Sequence, residues 1–345
     1  MDEKSEFVEP FKPSALHAVY RWIDRLPGPY WLFSVAFVVI TGLLNLVVAW
    51  TAHILPFGQV NWDYALTGMF FAYYFLAINL LLRAARNAAS EFLTTLDVDE
   101  SKSRLILFEF THLPALPVGV FFVLGAILGL GFGIYLFPTA PEMDHAFPTL
   151  EIPMYSLSMG TGFILLYMIL RATRLIGRLF RERLIIDIFD QTALHAISRY
   201  SAWLVIVIAI NTFLQFLLIP SFVDISASFL ALNAFDWLIV LFVFWLPLRG
   251  VNRTLVSEKR RLLKDVNLRL KTNFDLLGSK VDSHEYENMG SLQAMISSLH
   301  LQQESIKSIS TWPWQPSTLT ALLTAAVLPV LTSLLVEVIN RFISH

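Results

Sequence analysis

The sequence predicts an all-α membrane protein. It should be a polytopic transmembrane helical bundle of about seven spans, three hairpins plus a last helix, with a cytoplasmic helical hairpin before that helix. Three observations carry this. The 345 residues are 56% hydrophobic and only 15% charged, against roughly 25% charged in soluble domains. The apolar residues gather into stretches near the ~20 residues that a helix needs to cross a bilayer. All but Arg341 of the 25 Lys and Arg fall in alternate connections between those stretches, as they do in cytoplasmic loops.

The spans are read as Tyr30–Leu55, Tyr64–Leu82, Val118–Phe137, Met154–Leu170, Ser201–Ile219, Phe229–Leu248 and Thr318–Val336. The fourth is short, and the seventh contains Pro329. Backbone groups in lipid need internal partners, so each should be helical. The domains follow: a cytoplasmic segment over 1–29, a six-span membrane unit over 30–248, a helical hairpin over 249–315 and a final span over 316–345. Positive charge on the inner side places the N-terminus in the cytoplasm, and the plasma membrane is the expected location. Residues 1–29 lack an apolar run followed by a small-residue cleavage site, so the first span is expected to act as an uncleaved signal-anchor.

Ser14 should open an amphipathic helix lying at the interface, with Leu16, Val19, Ile23 and Leu26 on its apolar face, ending at Pro27-Gly28-Pro29. Ala15-Leu16-His17-Ala18 before the first hairpin recurs as Ala193-Leu194-His195-Ala196 before the third, and Thr111-His112-Leu113 sits similarly before the second. Each hairpin leaves through a Leu-Arg pair, at Leu82-Arg83, Leu170-Arg171 and Leu248-Arg249. The equal placement reads as a triplicated hairpin. Between Arg249 and Trp312, the stripes Leu255, Leu262, Val266, Leu270, Phe274, Leu277 and Leu292, Met295, Ile296, Leu299, Ile306, Ile309 predict two antiparallel helices.

The layout (seven spans, an inner N-terminus, a helical cytoplasmic extension before the last span) is similar to that of insect chemoreceptor channels. The likeness is one of layout alone.

The polar residues inside spans are the candidate permeation or coupling site: Asn211 and Gln215 in the fifth span, Asn233 and Asp236 in the sixth. Counted from the outer ends they pair by depth, at about 6 and 11 Å below the surface. Asn45 of the first span lies at a depth from which it could join them. An ionisable group in a span is costly and faces a bundle interior or water. The alternative is a buried polar clamp with Asp236 protonated. Gly125, Gly129 and Gly133 recur every four residues and form a small-residue packing face. Arg83, Arg86, Arg171, Arg174, Arg249 and Arg253 are read as anchors touching lipid headgroups. His17, His112 and His195 could titrate near neutral pH or simply pack at the interface. Glu142, Asp144, His145 and Glu151 in an outer loop match no metal-ligand spacing and read as a solvated acidic loop.

The absence of cysteine excludes disulfide, thiol and iron–sulfur chemistry. No catalytic signature is present, so no enzyme, metal or cofactor is expected. The expected partners are the lipid bilayer, further copies of the chain in a homo-oligomer, and a cytoplasmic protein at 254–309; nucleic acid is not among them. The functional reading is a channel or transport-type protein, with a sensor or scaffold anchored by its membrane part as the alternative.

Overall fold

The computed structural model describes residues 9–94, 99–136, 150–181, 192–218, 227–284, 289–311 and 320. Within them the chain is helical. The short helix α1 (Ala15–Ile23) is followed by α2 (Tyr30–Thr51), a single turn α3 (Trp62–Ala65) and α4 (Met69–Thr94). Then come α5 (Glu100–Thr111), α6 (Ala115–Leu136), α7 (Glu151–Arg181), α8 (Thr192–Leu218), α9 (Ala227–Asp282) and α10 (Met289–Ser308). Among the described residues, five helices are long and apolar enough to cross a membrane: Tyr30–Thr51, Met69–Leu93, Ala115–Ile134, Glu151–Arg178 and His195–Gln215. The chain is therefore compatible with an integral membrane protein. The seventh predicted span, Thr318–Val336, lies outside the described residues except for Thr320, and the acidic loop at Glu142, Asp144 and His145 lies outside them entirely.

Helix boundaries differ from the sequence reading where a breaker is present or missing. The second span does not start at Tyr64. Residues Trp62–Ala65 make one turn, Gly68 takes φ +87°, and the long helix begins at Met69. A left-handed residue ends a right-handed helix, and glycine adopts it without penalty. Pro27-Gly28-Pro29, with Gly28 at φ +127°, separates α1 from α2, and His112-Leu113-Pro114 separates α5 from α6. No proline follows His195, so there the lead-in segment and the fifth span are one helix, α8. The Leu-Arg pairs do not end their helices: α4 runs on to Thr94, α7 to Arg181 and α9 to Asp282. The predicted sixth span is thus part of a 56-residue helix, α9, about 84 Å long at 1.5 Å per residue. That helix contains Pro247, which brings no amide hydrogen to it.

The core lies between α4, α7 and α8. Ile78, Leu81 and Ala85 of α4, Ile176 of α7 and Leu204 of α8 have at most 1% of their surface exposed. α8 is the central element, with Ala196, Ile197, Tyr200, Val205, Val207 and Ile208 also buried. α2 and α6 sit at the rim: Val39, Ile40, Leu43, Val123, Ile127 and Ile134 are about half exposed, as lipid-facing residues are. α1 packs through Tyr20 and Ile23 with Leu16 beside them, while Val19 is exposed. The apolar face is thus rotated from the predicted one, because Tyr20 buries its ring and donates its hydroxyl to the Phe75 carbonyl at 3.1 Å.

α10 packs antiparallel on α9. Val266, Leu270 and Ile306 form a small core with Leu262, Ile296 and Leu299 against it. Lys259 Nζ caps the far end, donating to the carbonyls of Lys307 and Ile309 at 2.7 Å each. Gln303 Nε2 donates to Asn267 Oδ1 at 2.6 Å.

α6 and α7 pack most closely. A Cβ on Gly125 would lie 2.6 Å from the Met159 carbonyl oxygen, and one on Gly129 2.9 Å from Ser156 Cα. At Gly133 the nearest atom, on Ile152, would be 3.4 Å away. The glycine face is therefore spent inside this helix pair, where Ser156 Oγ also donates to the Ala126 carbonyl at 2.8 Å. Gly131 has open space around its Cβ position. The Gly129→Leu variant should lose about 1–3 kcal/mol to overpacking, and Gly131→Leu close to none. Thermal melting of the two detergent-purified variants checks this; equal melting temperatures would refute the packing assignment.

Candidate functional site

The predicted polar site begins on α8. Asn211 and Gln215 are both half-buried, one turn apart. The amide oxygen Oδ1 of Asn211 is buried and has no hydrogen-bond partner among the described residues. Tyr73 of α4 approaches the same turn and donates its hydroxyl to the Val207 carbonyl. α9 packs against α8. Asn233 and Asp236 belong to α9 by backbone, three residues apart, but their side chains lie outside the described residues.

Asn45 does not point to that site. It is fully buried, and its hydrogen bonds lead elsewhere. Nδ2 donates to Thr67 Oγ1 at 2.7 Å and to the Tyr64 carbonyl at 3.4 Å, and Oδ1 accepts from the Leu150 amide at 3.0 Å. Thr41, one turn away, donates to the Thr67 carbonyl at 2.8 Å. Gly42 allows this contact, since a Cβ there would lie 2.0 Å from the Ala65 carbonyl oxygen. Asn45 is thus a clamp holding α2 to the turn before α4 and to the start of α7. Both of its amide hydrogens and its amide oxygen are used in this clamp, so none is left for the α8 amides.

The second constellation lies at the Lys- and Arg-rich end. The chain before α1 runs antiparallel to the α5–α6 connection. Ser14 N donates to the Leu113 carbonyl at 2.8 Å, and Ala115 N to the Lys12 carbonyl at 2.9 Å. His17 Nε2 accepts from the Leu113 amide at 2.9 Å. His17 and His112 face each other with ring centroids 4.9 Å apart, and His112 stacks on Phe108 at 4.3 Å. Arg171 donates to the His112 carbonyl and lies over the Phe11 ring, 4.9 Å from its centroid.

This surrounding keeps both imidazoles neutral. Burial lowers the His17 pKa to about 4, with His112, Arg21, Arg171 and Arg86 pushing the same way. Burial is also the first cause lowering that of His112, while the Phe108 carbonyl and Glu9 oppose it. His17 is therefore no neutral-pH switch, because its acceptor role and its cationic neighbours disfavour a proton. Among the anchoring arginines, Arg83 pairs with Asp24 at 3.1 Å and lies over Tyr30. Arg86, Arg174 and Arg253 are exposed, and the Arg249 side chain lies outside the described residues. Arg178–Glu109 at 3.3 Å and Arg199–Glu91 at 2.7 Å join further helices at this end. Such exposed pairs are worth about 0–1 kcal/mol each.

Among the described residues, the fold and these sites define an all-helical arrangement with five membrane-length apolar helices. No protein-family model, curated protein or solved structure matches the chain.

The His17 geometry fixes a sign. The folded state favours the neutral ring, so the unfolded chain binds the extra proton between its own pKa near 6.5 and the folded value of about 4. The contribution is present above pH 6.5 and lost as pH falls toward 4. Gln offers an acceptor without titrating. The wild type should therefore lose more stability than His17→Gln between pH 7 and pH 4, as read by melting temperature. Parallel pH curves would contradict the role given to His17.

Proposed function

We propose that the chain is a channel or transport-type membrane protein whose polar path runs between α8 and α9. It works as a homo-oligomer in the plasma membrane, with seven spans, the N-terminus in the cytoplasm and no enzymatic activity. The observation that supports this is Asn211, whose buried amide oxygen has no partner among the described residues. A buried carbonyl oxygen of this kind costs free energy unless a donor, a water or a cation meets it. Gln215 lies one turn further along the same helix. The helix that carries Asn233 and Asp236 packs against it, and an acid within a span is by default a functional group.

A second reading has its own support. α9 continues without interruption from the predicted sixth span into the pair with α10. In that reading the membrane part is a sensor or scaffold, and residues 254–309 recruit a cytoplasmic protein.

The two readings separate on flux. Asp236→Asn keeps the shape of the side chain and removes its titratable charge. In liposomes reconstituted with the purified protein, the variant should change ion flux while its melting temperature stays within about 0.6 kcal/mol of equivalent stability, the mean worth of an interhelical hydrogen bond in membranes. No flux with either residue, across several ions, would remove transport and leave the scaffold.

Reporter fusions at the two termini test the topology. Opposite sides are expected from the Lys and Arg partition. Two cytoplasmic signals would make the segment Thr318–Val336 re-entrant rather than spanning.

A further inference from the structure

We infer that Arg21, Arg86 and Arg171, gathered around the His17–His112 pair, form a binding site for a phosphate group, such as an anionic phospholipid headgroup carries. The three arginines come from three separate helices, α1, α4 and α7. Arg171 is tied to the His112 carbonyl and Phe11, and Arg21 Nε donates to the His17 carbonyl at 3.4 Å. Arg86 acts electrostatically on both histidines.

Among the described residues no carboxylate forms an ion pair with any of the three, although Arg83, Arg104, Arg178, Arg199, Arg261 and Arg269 each have one. Two acids act at longer range. Glu9 faces His112, and Glu109 faces Arg171 but is held by Arg178. Positive charge gathered without an ion-pair partner among the described residues favours an anion.

The neutral groups add donors. His17 Nε2 accepts the Leu113 amide, so its ring hydrogen sits on Nδ1, where it can act as a donor. Ser14, at the start of the same helix, is 4% exposed, and its hydroxyl has no hydrogen-bond partner among the described residues. Arginine forks, an imidazole N–H and a hydroxyl are the groups that recognise phosphate oxygens. Their place at the Lys- and Arg-rich end, next to the short amphipathic helix α1, is where a headgroup would lie.

The test uses the full chain in detergent, melted with added phosphatidylglycerol, phosphatidylcholine or sodium phosphate. The double variant Arg21→Gln/Arg86→Gln changes two exposed side chains. At ~1 kcal/mol per surface cation, it should bind phosphatidylglycerol about thirty-fold more weakly. Arg86→Lys alone should keep most of the affinity, and Arg104→Gln all of it. Stabilisation by phosphatidylglycerol and not by phosphate assigns the site to lipid. Stabilisation by phosphate alone, lost in the double variant, assigns it to a soluble phosphate. Equal effects of phosphatidylglycerol and phosphatidylcholine, or equal loss in Arg104→Gln, overturn the site. The readout is binding, so failure of the flux proposal leaves it untouched.

Discussion

Hydrocarbon offers no hydrogen bonds, and that constraint organises this molecule. Each backbone amide must find its carbonyl within its own helix. The polar side chains in the apolar helices obey the same rule. Thr161, Thr173, Ser201 and Thr212 all return their hydroxyls to a carbonyl four residues earlier. Once folded back, they behave as nearly apolar groups. The few polar side chains that reach across between elements then fix the positions of the helices. Asn45 fixes α2 to the turn before α4 and to the start of α7. Ser156 fixes α7 to α6, and Tyr73 fixes α4 to α8.

The helices accordingly divide into two kinds. α8 is buried along most of its length, with Trp203 and Ile210 exposed, and carries the half-buried amides of Asn211 and Gln215. α2 and α6 expose long aliphatic faces, and α6 compensates for its thin contact area by bringing glycines against α7. Close backbone approach replaces the hydrophobic effect as the source of attraction here, because lipid tails are as apolar as leucine.

Much of this is legible in the sequence, for physical reasons. Hydropathy reports the spans because bilayer thickness fixes their length. The glycine face is readable because a four-residue spacing in a helix becomes one stripe. The stripes Leu262, Val266, Leu270 and Leu299, Ile306 likewise meet in one small core. What escapes are single-residue decisions. Gly68 sits in an apolar run and does not announce that it will turn left-handed. Missing it shifts the start of α4 and hides the turn whose Tyr64 and Thr67 receive Asn45. Tyr20 is amphipathic, so a reading by apolar residues alone passes over it. The Arg21, Arg86 and Arg171 grouping joins residues far apart in the chain, which no local pattern connects. The α9 half of the proposed polar path rests on side chains of Asn233 and Asp236 that lie outside the described residues.

The unbroken run of α9 makes it a lever. Pro247 withholds an amide hydrogen from the carbonyl of Val243, which leaves a softer joint at that turn of the helix. From there to Asp282 the arm is about 50 Å long at 1.5 Å per residue. A swing of about 10° at the joint would carry its tip roughly 9 Å, close to the diameter of a helix. Small rearrangements near the apolar end of α9 would thus arrive at the far end of the α9–α10 pair as movements large enough to uncover or hide a surface.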